Sequence, residues 1–177
     1  MENTEELIVA FRNDRDIPKF VARSLVNKKT IPELIEFTKH EKYPFPQYSS
    51  WILIHVTEKH LEKIQPYHHQ LIDTFLMLKD PSAQRNIANC LIKMPFTSYR
   101  EGELLDRLFD FLLDPNSKVA LKVYAMYLIV DFIRIYPELE GELLAILEKN
   151  QELESPAYRS GMRTVIKRLA AQKRKMK

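Results

Sequence analysis

Basic side chains recur at helical spacing along the chain and suggest a surface for an acidic ligand. Arg159, Arg163 and Lys167 stand four residues apart, which places them on one face of a helix. Lys118 and Lys122 have the same spacing. A row of cations suits either the phosphates of a nucleic acid or an acidic protein segment. The candidate binding stripe comprises Arg85, Lys93, Lys118, Lys122, Arg159, Arg163 and Lys167.

A structural role competes with binding at part of this stripe. A cation in the first turn of a helix opposes the helix dipole, so Lys118 and Arg159 are also suited to bonding acidic caps of a neighbouring repeat. Arg163 and Lys167 lie deeper in their helix, where ligand binding is the favoured interpretation. The basic segment 171–177 is interpreted as a solvated, frayed tail rather than as a binding arm.

Histidine side chains also cluster, but their spacing does not fit a metal site. His55, His60, His68 and His69 lie near Glu58 in the sequence. No two of these histidines are four residues apart and there is no His-Glu-x-x-His motif, so surface or helix-end positions are predicted. The sequence also has no Gly-x-Ser-x-Gly motif, no phosphate-binding glycine-rich loop and no Cys-x-x-Cys pair. We therefore predict no catalytic residue, no metal site and no cofactor.

Three single residues could carry chemistry, but each has a simpler interpretation. Asp131 interrupts an apolar run, where burial would raise its pKa and permit acid–base chemistry. Arg134, three residues later, favours a same-face ion pair instead. Cys90 lies in an apolar segment and is predicted to be a small core residue rather than a nucleophile. Trp51, the only tryptophan, is predicted to pack in the core.

The elements that position these residues are predicted to be helices. The 177-residue chain is 45% hydrophobic and 29% charged, which is typical of a folded domain and not of a disordered chain. Its three glycines and ten prolines favour helices joined by short turns, and no stretch alternates as a strand would. A single domain spanning 1–177 is predicted.

The most buried predicted helix lies in the range from Asp114 to Tyr136. Asp114 is predicted to cap it and Pro115 to occupy its first position, while a following proline ends it. Because nearly every face of this helix is apolar, other elements must cover it on several sides. Lys118 and Lys122 are expected on its one open strip.

The N-terminal third is predicted to hold shorter helices. The first runs from Thr4 to Arg12 with Asn3 as its cap, and the second from about Ile17 to Asn27. A capping box at 30–33 is predicted to start the third helix. A longer helix is predicted from about residue 47 to residue 64.

Prolines divide the chain into repeated pairs of helices, called A and B here. The predicted B-helices begin near Pro46, Pro81, Pro115 and Pro156, which are 35, 34 and 41 residues apart. Helix pairs with such a period indicate an α-solenoid. The predicted fold class is therefore all-α, a right-handed α-α superhelix of about four to five helix pairs.

Three segments carry a resemblance to the HEAT and armadillo-like repeat families. Asp-Pro-Asn-Ser-Lys-Val-Ala at 114–120 and Ser-Pro-Ala-Tyr-Arg at 155–159 are similar to the Asp-Pro turn of these families, with a basic residue early in the second helix. The Asp-Pro pair at 80–81 matches as well, although Arg85 lies one position later than the pattern expects. The resemblance covers roughly residues 30–171.

The resemblance implies a HEAT-like solenoid that acts as a non-catalytic binding module or scaffold for a protein partner. The alternative is sequence-independent nucleic-acid binding along the B-helix surface, as in the DNA alkylation-repair branch of HEAT-like proteins. Glycosylase activity is not expected, because no local motif transfers a catalytic residue. The acidic N-terminus, the single cysteine and apolar runs too short for a bilayer predict a cytoplasmic protein without membrane contact.

Overall fold

The computed structural model describes residues 3–150 and 155–175, and all regular structure in these ranges is helical. The helices are α1 (Thr4–Asp14), α2 (Ile17–Val26), α3 (Thr30–Phe37), α4 (Phe45–Lys59), α5 (Leu61–Ile64), α6 (His68–Met77), α7 (Pro81–Ile92), α8 (Glu101–Leu113), α9 (Val119–Ile133), α10 (Leu139–Asn150) and α11 (Pro156–Lys175), with a 3₁₀ turn at Gln65–Tyr67. The all-α prediction is confirmed. Packing divides the chain into two compact units, and the boundary falls between Pro95 and Phe96. The prediction of a single domain stays a prediction.

In the first unit, α4 is the central helix and packs against α1, α2, α3 and α7. Its residues Ile52, Leu53 and Val56 are buried, as are Leu71 and Phe75 of α6. Each fully buried side chain of this kind contributes about 1.5–3 kcal/mol to stability. These contacts fix which narrow strip of α4 remains open to solvent.

In the second unit, α9 has the same central place and packs against α8, α10 and α11. Ala125, Met126 and Ile129 are buried along it. Gly161 allows α11 to approach closely, because a Cβ atom at this position would lie 3.0 Å from both Cγ atoms of Val123. The predicted cover on several sides of this helix is thus confirmed.

The start predicted for α9 at Pro115 is wrong, since the helix begins at Val119. Asp114 closes a turn instead of capping the helix. One carboxylate oxygen accepts a hydrogen bond from the Asn116 N–H (2.9 Å), and the other accepts from the Ser117 hydroxyl (3.1 Å). The carboxylate is therefore used within the turn, as aspartate side chains often are.

The other two cap-and-proline pairs behave as predicted. Asp80 accepts a hydrogen bond from the Ala83 N–H (2.8 Å), and α7 begins at Pro81. α11 begins at Pro156, directly after Ser155. The same dipeptide pattern thus starts a helix in these two places and forms a turn at Asp114.

Local caps in the N-terminal part are confirmed only in one case. Asn3 and Glu6 form the capping box of α1. Thr30 does not cap α3, because it is already the first residue of this helix, and Glu33 accepts a hydrogen bond from the hydroxyl of Thr4 in α1.

One predicted extent differs from the structure. The helix predicted from residue 47 to residue 64 is interrupted at His60, whose φ of −142° and ψ of 56° are not helical. At the other end of the chain, α11 continues to Lys175, and the fraying of the basic segment 171–177 stays a prediction. Residues 176 and 177 lie outside the described residues.

Candidate binding surfaces

The cations of α11 lie together on the face of that helix opposite its packing surface. Tyr158 and Val165 are buried, whereas Arg159, Arg163 and Lys167 are exposed. At 100° per residue, the exposed three point away from the buried two. The structure brings these three predicted residues onto one face, but this face points away from α9. Together with the exposed Arg174 they form what we call the α11 outer face.

Lys122 does not belong to any accessible stripe. Only 2% of it is exposed, so its prediction as a residue on the open strip of α9 is wrong. The open strip of α9 instead carries the partly exposed residues Tyr124, Tyr127 and Asp131. The pKa of Asp114 is lowered first by its hydrogen bonds with Asn116, and the positive charge of Lys122 adds to this effect. A lysine that is buried beside the turn has a structural role.

Lys118 is exposed at the residue that precedes α9. It therefore stays accessible, although its predicted companion Lys122 does not. The four-residue spacing of these two lysines fails to put them on a common surface because the helix begins only after Lys118.

Arg85 and Lys93 lie on the open strip of α7, but both make contacts within the first unit. Lys93 Nζ lies 3.2 Å from a carboxylate oxygen of Glu58 in α4. Arg85 donates to the side-chain oxygen of Asn86 at 3.2 and 3.3 Å, and Asn86 donates to Ser50 Oγ of α4 at 3.0 Å. Lys93 and Asn86 therefore link α7 and the residue after it to α4, while Arg85 contacts its neighbour in α7.

The open strips of α4 and α7 carry a mixed set of side chains. His55 Nδ1 lies 3.2 Å from Glu58, which also contacts Lys93. Burial tends to raise the pKa of Glu58, but the contacts with Lys93 and His55 outweigh it and lower this pKa overall. We call this surface the α4–α7 strip. It comprises Trp51, His55, Glu58, Arg85, Asn89 and Lys93.

No group of three metal-binding side chains occurs in the part of the chain that the structure describes. Cys90 is fully buried, and this burial raises the pKa of its thiol to about 12. Its prediction as a core residue is confirmed. A thiol with so high a pKa is not a nucleophile at neutral pH.

Asp131 is half-buried, and this burial raises the pKa of its carboxyl group. The charges of Arg134 and Arg168 oppose the shift but do not outweigh it. The guanidinium of Arg168 stacks on Tyr127 at 4.4 Å from the ring centre. Asp131 therefore lies in an ordinary helix–helix boundary.

The first unit contains a cluster of arginine and aromatic side chains that was not predicted from the sequence. Arg15 donates a hydrogen bond to the hydroxyl of Tyr48 (3.1 Å), and its guanidinium carbon lies 5.8 Å from the centre of the Trp51 ring system. Arg12 lies over Tyr43 at 5.1 Å. Each such contact is worth about 0.5–1 kcal/mol at an exposed site.

Trp51 itself is only half-buried, so its prediction as a core residue is wrong. Its neighbours Ile52 and Leu53 form the core of α4 instead. The spacing of Trp51, His55 and Glu58 could have revealed this, because it places Trp51 on the same helix face as two polar residues. The arginines could not be found in this way, because they come from another helix.

Successive helix pairs within each unit, with B-helices packed side by side, define an α-helical repeat protein. The family model of the HEAT repeat domain matches residues 4–173, and the chain belongs to this family. The resemblance that the Asp-Pro segments suggested is therefore confirmed and extends to α1 and α2. HEAT repeat proteins are helical-repeat scaffolds and are generally not catalytic. No curated protein and no solved structure matches this chain.

None of the helices in the described residues combines the length and the apolar character that crossing a membrane requires.

Proposed function

We propose that this chain is a non-catalytic binding module for a protein partner, which it contacts through the α4–α7 strip. The observation that carries the proposal is the half-exposed position of Trp51 on this strip. Tryptophan and arginine are the residues most enriched among those that dominate protein–protein binding energy. A tryptophan held in place by Phe11 (5.2 Å between ring centres) and Tyr48 (5.8 Å) is already ordered before a partner arrives.

The charges of the strip support a protein rather than a nucleic acid at this surface. A phosphate backbone is bound by cations that are free to replace its counterions. On the α4–α7 strip Lys93 is paired with the carboxylate of Glu58, which leaves Arg85 as the cation without a carboxylate partner among the described residues. A surface with both signs of charge and an aromatic centre resembles a protein interface.

Affinity capture from the native host, with and without nuclease treatment, tests this proposal. We expect the chain to retain a protein that is insensitive to nuclease and is lost with Trp51→Ala. Leu113→Ala is the matched control, since Leu113 is a large apolar residue that is 61% exposed in the second unit. The retained protein is then identified, purified and titrated against both variants. Equal affinity for Trp51→Ala and the wild type would contradict the proposal.

Nucleic-acid binding is the second candidate function, and the α11 outer face favours it. The four exposed cations Arg159, Arg163, Lys167 and Arg174 lie on one side of a single helix. If they contact phosphates, log affinity falls with log salt by a slope of about 0.9 per contact.

Reversing Arg159, Arg163 and Lys167 to glutamate tests this second candidate. The slope should shrink by about 0.9 for each phosphate contact that is lost. Reversal of Lys28 and Lys29, which are exposed in the first unit, is the control. Absence of binding to duplex and single-stranded DNA at about 50 mM salt would exclude this function.

A further inference from the structure

Arg12 lies in the last turn of α1 and Arg15 is the cap that follows this helix. Arg12 contacts Tyr43, just before α4, and Arg15 contacts aromatic side chains of α4 itself. We propose that this pair binds carboxylate groups of an acidic protein segment. The inference rests on the proposed function, since it names the chemistry of the protein partner beside Trp51. We call the site the arginine shelf, and its residues are Arg12, Arg15, Tyr43, Tyr48 and Trp51.

Arg15 is held so that the edge of its guanidinium group remains available. Its guanidinium carbon lies 5.9 Å from the centre of the Tyr48 ring and 5.8 Å from the centre of the Trp51 ring system. One of its N–H groups donates to the Tyr48 hydroxyl. A guanidinium has five N–H donors in a plane, and its fork matches a carboxylate. Arg15 is exposed as a residue, and one of its five donors is used by Tyr48.

Arg12 packs against an aromatic side chain of the same cluster. Its guanidinium carbon lies 5.1 Å above the ring of Tyr43, which is 59% exposed. The rings of Tyr43 and Tyr48 meet edge to face at 6.1 Å. The pKa of Tyr48 is lowered, first by its hydrogen bond with Tyr43 and then by Arg15. The two arginines are thus ordered through contacting tyrosines, which reduces the entropy lost when a ligand binds.

The backbone at Arg15 determines which substitution can test the shelf. Arg15 terminates α1 with φ 55° and ψ 22°, in the left-handed region. Glycine is the favoured residue there, because a side chain makes this conformation unfavourable. Glycine can therefore replace Arg15 without backbone strain.

The carboxylates nearest in sequence do not neutralise the shelf. Asp14 is bound to Lys19 Nζ at 2.6 Å. Asp16 caps α2 by accepting a hydrogen bond from the Lys19 N–H at 3.1 Å. Among the described residues, neither Arg12 nor Arg15 has a carboxylate partner, so both charges are available to a ligand.

The surroundings favour a peptide over a nucleic acid. A nucleic acid brings one charge per phosphate along its whole backbone. The shelf offers only two guanidinium groups, which are too few to follow the phosphates of a nucleic-acid backbone. A protein segment can place one or two carboxylates on the arginines and lay apolar side chains on Tyr43 and Trp51.

Intrinsic fluorescence gives a direct measurement, because Trp51 is the only tryptophan and lies under Arg15. The probes are a short glutamate-rich peptide, a twin with glutamine at every glutamate position, and a single-stranded oligonucleotide. We expect a saturable change with the glutamate peptide alone. Loss of a charge-assisted bidentate contact should weaken this binding about tenfold or more in Arg15→Gly.

Arg15→Gly is chosen because glycine suits the left-handed position, so loss of binding cannot be attributed to unfolding. Arg100→Gly is the matched control. Arg100 also has a left-handed backbone (φ 48°), but it lies in the second unit and is bound to Glu103. We expect Arg100→Gly to bind the peptide as the wild type does.

The proposal is overturned if Arg15→Gly retains wild-type affinity, if Arg100→Gly loses as much, or if the oligonucleotide alone changes the fluorescence. It is also overturned if the glutamate peptide has no effect on the wild type. Failure of the shelf is distinguishable from failure of the proposed function. A partner that is lost with Trp51→Ala but retained by Arg15→Gly leaves the protein-binding module standing without a carboxylate site.

Discussion

Lys118 and Lys122 are four positions apart, yet their side chains have different surroundings. Lys118 is exposed, whereas Lys122 is buried near the turn at Asp114. A charged group can be buried only where other groups compensate for its lost hydration. The positive charge of Lys122 contributes to the lowered pKa of Asp114, after the hydrogen bonds with Asn116 and Ser117. Equal spacing in the sequence therefore does not imply equal availability to a ligand.

The half-buried carboxyl group of Asp131 gives a prediction about how the stability of the fold depends on pH. Because burial raises its pKa in the folded chain, the folded state binds this proton more tightly than the unfolded state. The contribution of Asp131 to stability is then most favourable at low pH and decreases as the pH rises through the interval between the two pKa values. At neutral pH the buried carboxylate destabilises the fold.

Asp131→Asn should therefore increase the free energy of unfolding at neutral pH. The increase should shrink as the pH falls below the ordinary aspartate pKa of 3.8, where the carboxyl group becomes protonated in the unfolded chain as well. Urea unfolding at neutral pH and at a pH below 3.8 measures the difference. Asp106→Asn, at an exposed position of α8, is the control and should have little effect at either pH. A decrease at neutral pH would show that Arg134 and Arg168 outweigh burial.

At the scale of elements, local interactions were predictable and long-range ones were not. The capping box of Asn3 and Glu6 needs only three residues of sequence, and it forms as predicted. The box predicted at Thr30 does not form, and Glu33 is engaged by Thr4, which is 29 residues away. The arginine shelf was missed for the same reason, since Arg15 and Trp51 come from different helices.

The two Asp-Pro pairs give a prediction about helix starts. Asp80 caps α7 and also accepts a hydrogen bond from the Gln47 side chain (2.7 Å), which joins α4 to α7. Asp80→Ala should lower the free energy of unfolding by about 1–2 kcal/mol, because it removes a helix cap. Asp114→Ala removes hydrogen bonds of an exposed turn and should have a smaller effect. Urea denaturation of both variants measures this, and equal losses would contradict the assignment of different roles.

At the scale of the whole molecule, the repeats could be predicted because the spacing of the prolines and the periodicity of the apolar residues mark the helix pairs. The chain belongs to the HEAT repeat family, as its segments suggested. The binding surface was less readable, because the exposure of a lysine or a tryptophan depends on which helices cover it. For this reason the sequence predicted a core position for Trp51 and an exposed position for Lys122, and both predictions were wrong. Ligand binding at Arg85, Lys93, Lys118, Arg159, Arg163 and Lys167 stays a prediction.

Amide hydrogen exchange provides a prediction for each of the two units. Local stability follows the number of sides on which a helix is covered. In the first unit α4 packs against α1, α2, α3, α5 and α7, and in the second unit α9 packs against α8, α10 and α11. We expect the amides of α4 and α9 to exchange most slowly in their units. The four-residue helix α5 should exchange much faster, and so should α11, which has a fully exposed face. Mass spectrometry of peptic fragments measures this order, and α11 exchanging more slowly than α9 would contradict the central place of α9.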